Sequence, residues 1–464
     1  MGYCEACFEK QLRIDRLEEE NKSLKAKLQY RTDKDLQPFF GSSTPSSKIP
    51  VKQNTIAQNR AKKGGARPGH PGMGRQAIAP EQADEVIELT VAEECCPDCG
   101  GQLEHKGTAW RSIVDSVLNK AKNLLYQCEI KRCVKCKRTV RSKPVVLPKN
   151  KYGNNLVSTS AIMHYLHGIP LKRIEEIWGT NVIAGNLIKI FHRLAAYWKP
   201  ALEQLKDGYR QHPVKHADET SWRTDGQSGY SWLFCTDNIS IFAFRETRSA
   251  AVPREMLGTK RIPGVLVVDR YGGYNKSPCA IQYCYAHLLR TLDDMGKDFP
   301  ENKEIQTFVS CVAPLLAQVM HLQAKPIANR SYYQQARTLQ KKIRTCIRSP
   351  AEHPAIQTYQ DIFRLNNKRL YHWVTDRRVP AHNNRAEREL RPIVIARKVS
   401  FGSQSVEGAH TRSVLMSIIH TAAKRLNNDT ESIEEWFAET IKAFVANPSV
   451  DPYSLLPKLG CPTI

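Results

Sequence analysis

The stretch "VKHADETSW" (residues 214–222) decides the fold, because an aspartate stands in the middle of a segment with β-strand composition. In an extended strand, Asp218 shares one face with Val214 and His216, and Glu219 lies on the opposite face. Three more segments of strand character follow: "GYSWLFCTD" (229–237), "ISIFAFRE" (239–246) and "GVLVVDR" (264–270). Short turns join the first three, and the helical segment "SAAVPREML" (249–257) leads to the fourth. This order predicts an α/β core.

Two further carboxylates are expected near Asp218. The apolar run 265–268 is typical of a strand buried on both faces, and Asp269 follows it where the chain emerges. In "NNRAERELRP" (383–392), a helix would place Glu387 on one face with Asn383, Asn384 and Arg391, and would point Glu389 about 200° away. The Asn pair is expected to cap this helix. We therefore predict Glu387 as the third acid, with Glu389 solvated or in a salt bridge.

Three carboxylates at one place repel each other unless cations lie between them. Oxygen ligands with open coordination positions are typical of Mg²⁺ (or Mn²⁺) sites. Two such ions roughly 4 Å apart can activate an attacking oxygen and stabilise a leaving oxygen at phosphorus. Asp218, Asp269 and Glu387 are thus candidate catalytic and magnesium-binding residues, although acids at strand ends are also common without a metal.

A second metal site is predicted from the cysteines. "CCPDCGG" and "CVKCK" form a CxxC…CxxC pattern, and each tight turn can present two sulfurs to one ion at about 2.3 Å. The gap between the pairs is long, which a ribbon with an inserted hairpin would accommodate; two unrelated thiol pairs are the alternative. The predicted structural zinc ligands are Cys96, Cys99, Cys133 and Cys136. The remaining cysteines, including Cys4 and Cys7, are expected to be thiols in a reducing compartment.

The chain of 464 residues carries a formal net charge of +23, and its basic residues come in blocks. Residues 46–80 and 131–151 contain basic residues and no acid. Unopposed positive charge favours a polyanion partner, with nucleic acid first and an anionic membrane surface second. The sequence has no apolar run long enough for a membrane span and no signal peptide at its N-terminus, so a cytoplasmic location is expected. The candidate nucleic-acid-binding residues are Lys62, Lys63, Arg67, Arg75, Arg385, Arg388 and Arg391.

The N-terminal half has three kinds of segment. A short heptad pattern predicts a helix that forms a parallel coiled coil or packs on its own chain; its residues are Ile14, Leu17, Asn21, Leu24 and Leu28. Residues 31–80, rich in Gly, Pro and Ser, are expected to be a flexible linker. Residues 158–207 have a helical pattern broken at Gly168–Pro170 and Gly179, which fits either a helix-turn-helix or a helical spacer.

The sequence resembles the bacterial transposases of the insertion sequence 66 family over essentially its whole length. The motifs that carry this resemblance are "GGARPGHPG", "CCPDCGG", "HADETSW", "VVDRYGGYN", "CYAHLLR", "NNRAERELRP" and "SVLMSIIHTA", in that order. The resemblance implies a D-D-E transposase with an RNase H-like core, whose acids are Asp218, Asp269 and Glu387. It also implies that Cys284 and His287 form the C-x-x-H step found in several transposase families, with a packing or positioning role. His216, Asn383 and Asn384 are expected to support the site.

The expected fold class is multidomain, with an RNase H-like α/β core that has a mixed sheet. The predicted order is a coiled-coil helix (1–30), a basic linker (31–80), a zinc-binding module (81–150), a helical domain (151–210), the first part of the core (211–284), a helical insertion (285–375) and the rest of the core with the Glu helix (376–464). The expected partners are double-stranded DNA, a second copy of the chain and small accessory proteins. The expected chemistry is Mg²⁺-dependent cleavage of transposon ends and strand transfer. The alternatives are a nuclease without strand transfer and a non-catalytic zinc-containing DNA-binding regulator.

Overall fold

The computed structural model describes residues 144–148, 150–179, 182–426 and 431–458, the strand residues 130–132 and 139–141, and residues 13, 14, 16–18, 20, 21 and 24. The strands of this part of the chain are β1 (Ile130–Arg132), β2 (Thr139–Arg141), β3 (Val214–Thr224), β4 (Gln227–Cys235), β5 (Ser240–Arg245), β6 (Val265–Val268) and β7 (Ala280–Tyr283). The helices before β7 are α1 (Asn154–Tyr165), α2 (Leu171–Trp178), α3 (Ala184–Gln211) and α4 (Ala251–Leu257). Those after it are α5 (Tyr285–Asp298), α6 (Lys303–Leu322), α7 (Asn329–Arg348), α8 (Pro354–Leu365), α9 (His372–Thr375), α10 (Asn384–Ser400), α11 (Val406–Arg425) and α12 (Ile433–Ala446).

A five-stranded mixed sheet with the order β5-β4-β3-β6-β7 forms the centre. The first three strands are antiparallel neighbours, because short turns connect them, and β6 and β7 add in parallel. The four strands expected from the sequence are present, and α4 precedes the fourth as predicted. Strand β7 was not predicted: it has only four residues, and its Gln282 is a buried polar residue that interrupts the apolar pattern.

Both faces of the sheet are covered. Leu266 and Val268 of β6 belong to the main hydrophobic cluster, which also contains α3 residues such as Tyr209. Val214 and Val267 face the opposite side, where they pack with Val379, just ahead of α10. The face that carries Val214 and Val267 is therefore the face next to the start of α10.

The outer edge of the sheet is closed by hydroxyl groups of α11. Three residues at spacing four share one face of this helix: Ser413, Ser417 and Thr421. The Phe242 amide of β5 donates to Ser417 Oγ at 2.9 Å, the Ser413 hydroxyl donates to the Phe242 carbonyl at 2.5 Å, and the Ser240 amide donates to Thr421 Oγ1 at 3.0 Å. The helix thus satisfies the backbone groups that an edge strand leaves unpaired. Helix α11 had entered the sequence analysis only as the motif "SVLMSIIHTA".

Helices α5 to α9 fill the interval between β7 and α10, in agreement with the helical pattern of residues 285–375. Within the described part of the chain, α6 alone has the length and apolar composition of a membrane-spanning helix. Its buried residues recur every three or four positions, as in a helix that packs on a core: Ile305, Phe308, Val312, Leu316 and Val319. A disulfide joins Cys311 of α6 to Cys346 of the neighbouring α7. The prediction of free thiols is therefore wrong for Cys311 and Cys346, and the sequence does not reveal their pairing because it depends on how the two helices pack.

Helices α1, α2 and α3 are separated where the sequence predicts breaks, near Gly168–Pro170 and at Gly179. Gly179 has φ +86°, a left-handed conformation that favours glycine at a helix end. In the N-terminal heptad segment, Ile14, Leu17 and Leu24 are about half exposed, at 47, 54 and 57%. Leu28 and the rest of that segment lie outside the described residues.

Candidate functional site

Asp218 lies in the middle of β3, and Asp269 follows the end of β6, the parallel strand next to it. The register between β3 and β6 pairs Val214 with Val265 and His216 with Val267. Continued by two residues along both strands, this register sets Asp218 level with Asp269 and on the same face. Both side chains are buried, at 2% and 5% exposure. Their charges, together with that of Glu219, also raise the pKa of the Tyr274 hydroxyl, after burial as the main cause. The three carboxylates therefore lie in one region near Tyr274, with Glu219 on the opposite face of β3 from Asp218.

Burial makes the surroundings of these carboxylates unfavourable for negative charge. The pKa of Asp269 is raised to about 7, first by burial and second by the charge of Glu219, despite the hydrogen bond from the Tyr271 amide to Asp269 Oδ1 at 2.9 Å. The Oδ1 atom of Asp218 accepts a hydrogen bond from the Glu219 amide at 2.9 Å. Carboxylates buried together in this way are stabilised by a bound cation.

Glu219 is a buried acid that the sequence analysis assigned only to the opposite strand face. The guanidinium of Arg248 donates to its Oε1 atom at 2.8 and 2.6 Å, and the Tyr274 hydroxyl donates to Oε2. Arg248 also lies over the ring of Tyr271, 3.9 Å from its centroid. The signal that could have revealed this network is a second acid within an otherwise buried strand, because a buried Glu needs a partner. The network holds in place the segment "DRYGGY" (269–274), which begins at Asp269.

Glu387 lies in the first turn of α10, where acids interact favourably with the helix dipole. The predicted helix start is confirmed, because Asn383 is the N-cap residue of α10, but the expected capping bond is wrong, because its side chain makes no capping hydrogen bond. It reaches β3 instead, with Oδ1 2.9 Å from His216 Nδ1 and the amide nitrogen donating to the Ala217 carbonyl at 2.8 Å. A capping bond and these contacts use the same amide group, so the contact with the sheet excludes the cap. Asn384 is the first residue of α10.

Glu389 occupies a different environment from Glu387. Its Oε1 atom lies 2.7 Å from Lys424 Nζ, and its Oε2 atom accepts a hydrogen bond from Ser240 Oγ at 2.8 Å. The predicted salt-bridged state of Glu389 is therefore confirmed, and this carboxylate is neutralised at the β5 edge of the sheet.

Glu387 contacts the C-x-x-H residues. Ligand atoms of Cys284, His287 and Glu387 all lie within 4.8 Å of one another, and His287 Nδ1 is 4.0 Å from Glu387 Oε1. Burial lowers the pKa of His287 to about 3, with further lowering by Arg290 and Arg270, and burial raises the pKa of Cys284 to about 12. Burial also raises the pKa of Glu387, which Arg290 and Arg391 oppose. The cluster thus brings together a neutral imidazole, a buried thiol and a partly buried carboxyl group.

The basic residues predicted to contact DNA divide into two groups. On α10, Arg388 and Arg391 are exposed and Arg385 is half-buried, so this helix presents positive charge beside Glu387. Arg290 and Arg270, which the sequence analysis did not single out, add charge close to His287. The linker residues Lys62, Lys63, Arg67 and Arg75 lie outside the described residues, as do the predicted zinc ligands Cys96, Cys99, Cys133 and Cys136.

The donor set where β6 ends beside β3 fits a hard divalent cation. Asp218 of β3 and Asp269 after β6 supply carboxylate oxygens, and burial and the charge of Glu219 oppose the ionisation of Asp269. Mg²⁺ and Mn²⁺ prefer such oxygen ligands, whereas softer ions prefer sulfur ligands. The Cys284–His287–Glu387 cluster has a different donor set of sulfur, nitrogen and oxygen.

Comparisons with known proteins identify the family of the chain. A family model described as "Transposase IS66 family" matches residues 149–411, which include β3 to β7, the helices between β7 and α10, and α10 itself. The chain is also similar to the uncharacterized protein y4jD of Sinorhizobium fredii (strain NBRC 101917 / NGR234), with 24% identity over 385 residues and 73% of each chain covered. Because the family match covers more than half of the sequence and contains the site just described, the chain belongs to the IS66 family of transposases.

Proposed function

We propose that this transposase binds the terminal inverted repeats of an insertion sequence and catalyses Mg²⁺-dependent DNA cleavage and strand transfer through Asp218, Asp269 and Glu387. The observation that carries the proposal is the register of β3 and β6, which sets the buried Asp218 of β3 side by side with the buried Asp269 at the end of β6. Family membership supports a transposase function and DNA binding. Neither depends on the assignment of the third acid.

An RNase H-like core is part of this proposal. Its support is a five-stranded sheet of three antiparallel strands followed by two parallel ones, in the order β5-β4-β3-β6-β7. In this arrangement α5 to α9 form an insertion between β7 and the helix that carries Glu387. The insertion separates the third acid from the first two by more than a hundred residues, yet α10 packs directly on β3 through Asn383.

Each group of the site has a proposed task. Asp218 and Asp269 would hold Mg²⁺, with Glu387 as the third ligand, and the bound ions would supply activation of an attacking oxygen and stabilisation of the leaving oxygen. Glu219, Arg248 and Tyr274 keep the backbone behind Asp269 in place. The exposed guanidiniums of Arg388 and Arg391, with Arg385, would bind phosphates next to the scissile bond. No covalent protein intermediate is needed, because water and the DNA 3′-OH act as nucleophiles in turn.

Several predictions about the rest of the chain belong to the same proposal. A zinc module built on Cys96, Cys99, Cys133 and Cys136 and the basic linker would bind the transposon ends. The N-terminal helix would join two copies of the chain, which agrees with the exposure of Ile14, Leu17 and Leu24. Small accessory proteins and a cytoplasmic, nucleoid-associated location complete it.

An assay on candidate end DNA tests the proposed function. Wild-type protein should cleave and join the DNA in Mg²⁺ and lose both activities in chelator, and Asp269→Asn should lose them in Mg²⁺ as well. Glu389→Gln is the matched control, because this carboxylate is already paired with Lys424. Cleavage without joined products from pre-cleaved 3′-OH ends would favour a simple nuclease. Specific DNA binding together with an activity that Asp269→Asn leaves unchanged would favour a non-catalytic regulator.

A further inference from the structure

We propose that Cys284, His287 and Glu387 form a second metal site, which takes a zinc-like ion rather than Mg²⁺. The site lies on α5 and α10, and its Cys284 is hydrogen-bonded through the backbone to Val268, the residue before Asp269. Cys284 is the N-cap residue of α5, His287 is in the first turn of α5, and Glu387 is in the first turn of α10. Their ligand atoms are within 4.8 Å of one another, so a small side-chain movement brings all three to one ion.

The backbone around these residues is fixed by hydrogen bonds. The Cys284 amide donates to the Val268 carbonyl at 2.8 Å, and the Tyr285 amide donates to the Ala381 carbonyl at 2.7 Å. The Asn383 backbone amide donates to Cys284 Sγ at 3.1 Å, which ties the start of α10 to this sulfur. The start of α5 and the start of α10 are therefore held together before any ion binds. Preorganised ligands of this kind favour metal binding.

Unsatisfied polar atoms converge in the same place. Both ring nitrogens of His287 and the Oε1 atom of Glu387 are buried without a hydrogen-bond partner among the described residues. Leaving a buried polar atom unpaired costs about 1–3 kcal/mol. A metal cation bound by one ring nitrogen of His287, by Glu387 and by Cys284 would remove this cost for that nitrogen and for Oε1.

The donor set selects the class of ion. Thiolate, imidazole and carboxylate are the three side chains that bind Zn²⁺, and three protein ligands leave a fourth position open. Mg²⁺ disfavours sulfur and nitrogen, so the hard acid pair Asp218 and Asp269 and this soft cluster would bind different ions. On binding, the Cys284 thiol releases its proton to solvent, and the charges of thiolate and carboxylate balance the dication. Arg290 and Arg391 then face a neutral centre rather than a lone carboxylate.

Glu387 would belong to both the zinc site and the Mg²⁺ site. Zinc binding therefore has a consequence that rests on the proposed function. A zinc ion bound by Cys284 and His287 ties the Glu387 carboxylate to α5. Its occupancy would therefore change how Glu387 contributes to Mg²⁺ binding beside Asp218 and Asp269. The zinc site itself does not depend on this coupling or on transposition.

Zinc content of the full-length chain tests the proposal. Protein equilibrated with Zn²⁺ and freed of excess ion is measured by inductively coupled plasma mass spectrometry. Wild type should retain one more equivalent of zinc per chain than Cys284→Ser, which keeps the volume of the side chain and an acceptor for the Asn383 amide. The matched control is Cys235→Ser, because Cys235 is also a fully buried free cysteine; it should retain as much zinc as wild type.

His287→Gln provides a second variant in case Cys284→Ser unfolds, with thermal unfolding followed for each protein. Equal zinc in wild type, Cys284→Ser and His287→Gln would overturn the proposal and leave a pocket that holds water. Cobalt reconstitution gives an independent reading, since loss of Cys284 should remove part of the thiolate-to-cobalt charge-transfer absorption. Asp269→Asn separates the two proposals: it should keep the full zinc content. If it also keeps cleavage, the proposed function fails while the zinc site stands.

Discussion

The Asn383 side chain joins the helix of one candidate acid to the strand of another, since its Oδ1 atom lies 2.9 Å from Nδ1 of His216. Burial lowers the pKa of His216 to about 3, so the imidazole is neutral and Nδ1 carries the proton that it donates to Asn383. His216 is two residues before Asp218, and Asn383 is one turn before Glu387. This bond therefore links the positions of two acids that are far apart in the sequence.

Replacement of Asn383 should damage both stability and activity. Asn383→Ala leaves His216 Nδ1 and the Ala217 carbonyl without their partner, and each buried unpaired group costs about 1–3 kcal/mol. The start of α10 is then free to shift, and a shift of about 1 Å at a catalytic group lowers the rate on the order of 100-fold. Chemical denaturation and DNA cleavage rates measure the two effects. Asn384→Ala is the control, and an equal loss in both variants would contradict a specific role for the His216 contact.

The Glu219–Arg248 pair should show strong coupling. Arg248→Met leaves Glu219 buried and without its cation, and breaking a buried pair in this way costs about 3–5 kcal/mol. Glu219→Gln keeps the shape and an acceptor for Tyr274, so the double variant should recover a large part of the loss. The free energies of unfolding of the wild type, both single variants and the double variant give the coupling energy. Additive losses would show that the pair does not act as a unit.

Metal-free protein should lose stability as the pH rises toward neutrality. The pKa of Asp269 is about 7 in the folded chain, and the carboxyl has a pKa of about 3.9 when unfolded. The neutral form is favoured in the fold, so its stabilising contribution is complete below about pH 4 and is lost as the pH rises to about 7. Unfolding temperatures measured in chelator should therefore fall over this interval, and less steeply in Asp269→Asn.

The difference between the two pH profiles isolates Asp269, because burial also raises the pKa of Glu219 and Glu387 in both proteins. Mg²⁺ added at pH 8 should raise the unfolding temperature of wild type more than that of Asp269→Asn. Parallel pH profiles for wild type and Asp269→Asn would contradict the prediction that folding raises the pKa of Asp269.

The hydroxyl row of α11 should contribute to the stability of the sheet edge. Ser417→Ala leaves the buried Phe242 amide without its acceptor, with an expected loss of about 1–3 kcal/mol. Ser310→Ala is a matched control, since Ser310 lies on α6, is exposed and donates only to the Thr307 carbonyl of its own helix. Chemical denaturation of both variants distinguishes them. Equal stability would mean that water replaces the Ser417 hydroxyl at the edge of the sheet.

The parts of the site that follow from local periodicity were predictable. The strand alternation around Asp218, the apolar run before Asp269 and the helical spacing that separates Glu387 from Glu389 are all properties of short segments. The role of Asn383 was not, because capping is a local rule while the contact with His216 joins residues 167 positions apart. Strand β7 was hidden by a buried glutamine that pairs with backbone groups of residues 283, 370 and 372. The environment of Glu219 was also hidden, since its partner Arg248 comes from the loop after β5.

Manganese positions in crystals of the protein with end DNA would show whether Asp218, Asp269 and Glu387 bind the catalytic ions, because Mn²⁺ replaces Mg²⁺ at oxygen ligands and is located by anomalous scattering. We predict manganese bound by carboxylate oxygens of Asp218 and Asp269, with Glu387 completing the ligand set, and two ions roughly 4 Å apart when DNA is bound. Absence of manganese from Asp218 and Asp269 in crystals that contain well-ordered end DNA would contradict the account.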